Sequence, residues 1–323
     1  MRTIIPLLFV VLWTVATHAQ QATKPDANTK SLVIAKNVSL VFKKISPKSH
    51  AIEYPEFFVL ETEVTNRQFK AYLDAKKLTK DDTDVLKIIR KREKSSGMST
   101  MSVPYEIKDE SAIWRKGSYP HGLDDHPVTV ITLDDATNFA KWVNVNHDNI
   151  QVRLPTWNEW MITAYGKSRK YPWGDDWDRS KLHSSHGLMH EFSFEKSVNE
   201  TPPKRTEPVK TRVTGKTPDG VYGMLGNAGE YLIDSDPSNS DYFNLGSRSM
   251  GGGFTDGLVF FENQMKPLKP RNDYWGYSHH KTGRSCDLGF RLVLVTENND
   301  KMLKHEKLFE QRNKAWMTDD TSK

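Results

Sequence analysis

Three stretches of the chain carry the spacing of an amphipathic helix, and the same local device opens each. Thr65, Asn66, Arg67 and Gln68 form a capping box: the Thr65 hydroxyl accepts from the Gln68 backbone N–H and the Gln68 side chain returns the bond. Val64 and Phe69 sit at the staple positions around it, and Phe69, Tyr72 and Leu73 then share one helical face. Thr132 with Asp135 repeats the signal, followed by Ala136, Phe139, Ala140 and Val143 at i, i+3, i+4 and i+7. Thr156 with Glu159 makes the third box, ahead of Trp160 and Ala164. A short β-like run precedes each helix, at 57–64, 128–131 and 152–154. Two further apolar runs, 32–35 and 38–42, predict a first strand pair.

Elsewhere the periodicity weakens. Residues 76–125 are polar and charged, and their basic run at 87–94 reads as a solvated face. Residues 166–286 are rich in Gly, Pro, Asp, Asn and aromatics, which predicts an irregular fold rather than disorder. At the front, Arg2 precedes an apolar run at 4–15, and Thr17 and Ala19 fit a cleavage site before Gln20. This predicts a signal peptide at 1–19, cut after Ala19, and a secreted or periplasmic protein. Residues 20–37 then read as a flexible lead, 38–296 as the domain, and 297–323 as a charged amphipathic tail. In that tail Met302, Phe309 and Trp316 recur every seven residues, with Leu308 and Ala315 beside them. The stripe packs on its own domain or docks on a partner. No later run is apolar enough to span a bilayer, and no cysteine follows the cleavage site to carry a lipid.

Composition narrows the chemistry. The 323 residues are 37% hydrophobic and 27% charged, with a net charge of +5 spread along the chain, which gives no footprint for a nucleic acid. The single cysteine, Cys286, rules out an intrachain disulfide, so stability must come from the core or from a bound metal. His183, His186 and His190 stand at i, i+3 and i+7; on a helix they would share a face able to bind a metal, and off a helix they read as solvated.

Seven ordered segments resemble signatures of the sulfatase-modifying-factor family, the formylglycine-generating enzymes. Glu61 to Asn66 is similar to its TEVTN opening, and His126, Pro127 and Val128 to its HPV segment. Arg153 to Trp160 is similar to RLPTEAEW, and Tyr171 to Gly174 to YPWG. Gly220 to Tyr231 resembles GLYDMxGNVWEW, Gly251 to Phe254 RGGSW, and Asp287 to Arg291 DIGFR. Together they cover about residues 38–296. The resemblance implies an α+β fold, irregular and related to C-type lectins, with little regular secondary structure.

The same resemblance defines what is missing. The family oxidises a substrate cysteine with a copper(I)-binding Cys-x4-Cys pair just after the GGS turn; here those positions are Asp256 and Phe261, and the serine of the turn is Gly253. A carboxylate is a hard ligand and a phenylalanine is none, so no copper(I) thiolate site is expected. Cys286 reads as a small buried hydrophobe beside the Asp287–Arg291 segment. By position, the family's second calcium site falls on Gly226, Ala228 and Glu230, with Gly223 in place of its side-chain ligand, which leaves that site weakened. Three functions stay open: a non-catalytic binding or scaffold protein, like members found in gliding-motility and type IX secretion machinery; an enzyme using non-cysteine chemistry; and a lectin-like ligand binder. A protein partner in the envelope is expected in the first.

Overall fold

The segment Phe57–Leu60 is apolar at every position, and all four side chains are buried. Such a strand must be covered on both faces. It is β3, the centre of a five-stranded sheet in the computed structural model, which describes residues 26–50, 52, 54–84, 105–106, 113–148, 150–184, 205–233, 245–253, 277–280 and 284–295. The sheet runs β1 (Thr29–Ala35), β2 (Val38–Ile45), β3, β11 (Val293–Val295), β5 (Gln151–Arg153), with antiparallel neighbours throughout. Alternation along β3 and β11 divides the interior. Phe58, Leu60 and Leu294 enter one core; Phe57, Val59, Val293 and Val295 enter the other.

The three expected helices cover these cores: α1 (Asn66–Lys76), α2 (Leu133–Val145) and α3 (Trp157–Tyr165), each with its capping box formed. The stripes of α1 and α2 close the first core, where Phe139 stacks on Phe69 at 5.9 Å between centroids and meets Phe290 edge-on at 5.5 Å. Helix α3 closes the second with Trp160, Met161 and Ile162. Its first turn is tied to β5, because the Arg153 guanidinium donates to both Glu159 carboxylate oxygens at 2.6 and 2.8 Å. The irregular half forms a second sheet in the order β10 (Leu288–Gly289), β6 (Gly229–Tyr231), β7 (Leu245–Met250), β8 (Tyr277–His280), and a two-stranded pair of β4 (Tyr105–Glu106) with β9 (Arg284–Ser285).

Two expectations are corrected. Residues 128–131 are not a strand. Val128 N–H donates to Val64 O, Val130 turns the chain at φ 55°, and its carbonyl accepts from buried Lys80 at 2.9 Å. Lys80 in turn pairs with the wholly buried Asp82 at 2.5 Å, so tertiary contacts outcompete local β preference. The stretch 20–37 is also not simply a flexible lead: β1 begins at Thr29, turns at Asn37 (φ 60°) and buries Leu32 in the first core. The signal peptide, the run at 87–94, His186, His190, Asp256, Phe261 and the tail lie outside the described residues. Among the described residues, no helix is long and apolar enough to cross a membrane.

Candidate functional site: a buried ion cluster beneath a glycine turn

The centre of the family-like segments is occupied by charge. Arg291, just before β11, and Glu230, in β6, both have fully buried side chains. Arg291 donates from Nε to Glu230 Oε2 at 2.6 Å and from NH2 to Oε1 at 2.5 Å. Its remaining donors reach Leu60 O at 3.2 Å and Tyr222 O at 2.8 Å. Trp160 Nε1 from α3 adds a bond to Glu230 Oε2 at 3.0 Å. One guanidinium therefore joins the end of β3, the 222–228 turn and β6, and α3 is tied in through the shared carboxylate. Bidentate pairing of this kind is geometrically specific as well as strong.

A second carboxyl lies beside the pair. Glu63, three residues past β3, is wholly buried; Asn227 Nδ2 donates to its Oε1 at 3.0 Å, and its Oε2 has no hydrogen-bond partner. Burial pushes its carboxyl up to about 8; Arg291 draws it back and Glu230 adds to the rise. Asn227 is held with φ 62°, its amide N–H donating to His183 O at 2.7 Å and its Oδ1 accepting from Glu207 N–H at 2.8 Å. The strained asparagine thus links the buried carboxyl to the surface above.

That surface carries a small, partly open cleft lined by Lys181, His183, Glu207, Arg212, Tyr222 and Asn227, among others. Arg212 grips Glu207 with two bonds of 2.8 and 3.0 Å. His183 Nε2 lies 2.9 Å from Arg205 O and its Nδ1 3.3 Å from Glu207 Oε2. Burial holds the imidazole below the usual histidine range. The solvated reading of His183 is therefore corrected: its side chain is only 14% exposed. Lys210 and Lys216 flank the Tyr222 ring at 5.9 and 5.7 Å.

The glycines have separate reasons. Gly226 has φ 74°, and a Cβ there would lie 2.5 Å from His183 O. Gly253, in place of the family's serine, abuts Asp287 so closely that a side chain would collide with it. Gly289 needs no special φ; a Cβ would stand 2.7 Å from Val128 O, so close approach requires it. Cys286 is buried, as expected, in the turn between β9 and β10.

The structure brings Gly223, Gly226, Ala228 and Glu230, the set expected for calcium, into one turn and strand. Both oxygens of Glu230 are already taken by Arg291 and Trp160. At Gly223 (φ 65°) a Cβ would sit 2.5 Å from Glu63 Oε2, so a side-chain ligand has no room. Among the described residues, no three His, Cys, Asp or Glu group to hold an ion. Sequence reading missed Glu63, Asn227 and Arg291 as a unit. The available signal was a charge inside an apolar run, Glu63 after 57–60 and Arg291 before 292–295.

The fold and the ordered segments define a class, and comparison confirms it. The chain belongs to the family of the sulfatase-modifying factor enzyme 1-like domain, whose model matches residues 17–296. It is similar to a formylglycine-generating enzyme of Streptomyces coelicolor, 29% identical over 139 residues, which is 39% of this chain and 42% of that protein. It is also similar to the uncharacterized protein YfmG of Bacillus subtilis, 32% identical over 119 residues, 34% of this chain and 23% of that protein. The matches thus span less than half the length of either relative. Among solved structures, PvdO from Pseudomonas aeruginosa shares the fold, with a TM-score of 0.51 and 15% identity over 82% of this chain and 97% of that one.

Proposed function

We propose that this protein is an exported, non-catalytic member of its family that acts as a binding or scaffold component of an envelope or secretion assembly. One observation carries the proposal: the chain has a single thiol, Cys286, buried in the β9–β10 turn, while the family's cysteine positions hold Asp256 and Phe261. One thiol cannot make the two-thiolate copper(I) site on which formylglycine generation depends. The buried network is consistent with a structural role, because Arg291 bonds to Glu230, Leu60 and Tyr222 and Trp160 bonds to Glu230.

Two measurements test this. Purified protein incubated with a sulfatase-motif peptide, with and without copper, should leave the peptide cysteine unchanged by mass spectrometry; an aldehyde product overturns the reading. Capture of the full exported chain from its native envelope should bring down a discrete protein partner. If the tail 297–323 is the docking element, its removal abolishes capture and leaves the melting temperature unchanged.

A second reading is a lectin-like binder, favoured by the cleft above Asn227. In that case a small ligand, not a protein, protects the fold on binding, and Arg212→Ala removes the protection. A family enzyme using other chemistry would instead turn over such a ligand.

A further inference from the structure

Residues 205–216 form a strap over the cleft, and its fastenings leave cations outermost. Glu207 N–H donates to Asn227 Oδ1 at 2.8 Å, Val209 N–H donates to Asp125 O at 2.9 Å, and Arg205 O lies 2.9 Å from His183 Nε2. The carboxylates lie inside this layer. Glu61 and Glu207 have side chains only 13% and 14% exposed, whereas Lys210 and Arg212, which pair with them, are 55% and 37% exposed. Each carboxylate is spent on holding a cation: Lys210 Nζ stands 2.6 Å from Glu61 Oε2, and Arg212 makes its two bonds to Glu207. Lys216, also exposed, stands 5.7 Å from the centre of the Tyr222 ring that Lys210 flanks, and Arg205 is exposed at the start of the strap. Among the described residues, no carboxylate pairs with Arg205 or Lys216.

We infer that this face of the strap docks an acidic segment, rich in Asp and Glu, of the partner protein. The inference rests on the proposed protein-partner reading and adds the chemistry of the contact. An incoming carboxylate meets Arg205, Lys210 and Lys216 before it meets Glu61 or Glu207, so the face selects negative charge. Shape favours a peptide over a saccharide. The cleft beside Tyr222 has little room beyond a water-sized group, enough for a carboxylate head and not for a sugar ring. An extended peptide presents alternate side chains to one face about 7 Å apart, so successive acidic residues can meet successive cations of the strap. Lys210 and Arg212 are already held in place, which lowers the side-chain entropy lost on docking.

The test uses the full chain and a labelled peptide of alternating glutamate and serine, read by fluorescence anisotropy. Its glutamine counterpart, a single-stranded oligonucleotide and dextran sulfate are the comparisons. The glutamate peptide should bind, the glutamine peptide should not, and affinity should fall as salt rises. Arg205→Glu with Lys216→Glu should weaken binding about tenfold or more and leave the melting temperature unchanged. Lys76→Glu with Lys141→Glu makes the same change in net charge at exposed positions of α1 and α2, and should leave binding within about twofold. Should the first double variant fail to fold, Lys216→Gln, which adds no charge, carries the same comparison. The inference is overturned by a glutamate peptide that does not bind, by an equal loss in both double variants, or by tighter binding of the oligonucleotide or dextran sulfate through the same residues. Capture from the envelope separates it from the reading on which it rests. A partner still captured by the strap variant overturns the docking face and leaves the scaffold role standing. A wild type that binds the glutamate peptide but captures no partner keeps the face and overturns the scaffold role.

Discussion

The helical face of the sheet and the glycine-rich face are ordered by opposite means. On the first, α1 and α2 lay apolar stripes against β3 and β11, and Phe69, Phe139 and Phe290 meet ring to ring. Removal of apolar area from water drives that packing, and it tolerates small shifts. On the second, the 222–228 turn has little regular structure, with Gly223, Gly226 and Asn227 all at positive φ. There the chain is fixed by directed bonds: Arg291 and Trp160 donate to Glu230, and Asn227 donates to Glu63. The contrast teaches that a loop-rich half can be as well defined as a helical one, provided buried polar groups replace periodic burial. It also makes that half less forgiving, because a lost partner leaves a charge behind.

The largest effect should come from that asymmetry. Arg291→Met leaves Glu230 buried without its cation and should cost about 3–5 kcal/mol, measured by denaturant unfolding. Replacing Arg291 and Glu230 together with apolar residues should cost less than either single change. If the double variant is instead as unstable as the sum, the pair is not a unit.

Phe139→Ala, the corresponding deletion on the helical face, should cost about 3–5 kcal/mol through lost burial and a cavity. Its cost should be nearly independent of pH and of salt. A strong pH dependence would blur the distinction between the two faces.

Glu63 sharpens the contrast through pH. Its folded pKa of about 8 lies above the ordinary 4.5, so the native state holds a proton that the unfolded chain releases. The stability this supplies is complete below the ordinary carboxyl range. It declines as pH rises toward 8 and stays lost above it, a change of a few kcal/mol. Glu63→Gln should remove this decline, so the variant should melt above the wild type at pH above 8. His126 and His183, whose pKa values burial lowers, titrate in both proteins and cancel in the difference. Identical pH profiles for the two proteins would show Glu63 to be ionised throughout.

Smaller effects separate backbone strain from crowding. Gly122 (φ 81°) has nothing within 4 Å of an added Cβ, whereas at Gly223 the Cβ meets Glu63. Gly122→Ala should cost about 1–2 kcal/mol from the left-handed conformation alone, and Gly223→Ala more. At the lower end, Thr132→Ala removes one cap of α2 and should cost about 1 kcal/mol, read as a fall in melting temperature.

These outcomes also mark what could be read from the chain. Local physics wrote the helices: a threonine, an acceptor three residues on, and an apolar stripe suffice for α1, α2 and α3, because each signal acts within a few residues. The family-like segments defined the fold class in the same way, and the lone cysteine excluded an intrachain disulfide. Neighbours distant in sequence decided the rest. Residues 128–131 have β-forming side chains, yet Lys80 and Ser285 claim the backbone groups of Val130, and it bends. Glu230 finds its counterion in Arg291, 61 residues later, which donates to both its oxygens. Glu63 and Asn227 are 164 residues apart and meet only in the folded core. A buried charge must find its partner wherever the tertiary fold puts one. Sequence can therefore flag such a charge by its apolar surroundings, but only the folded structure assigns its counterion.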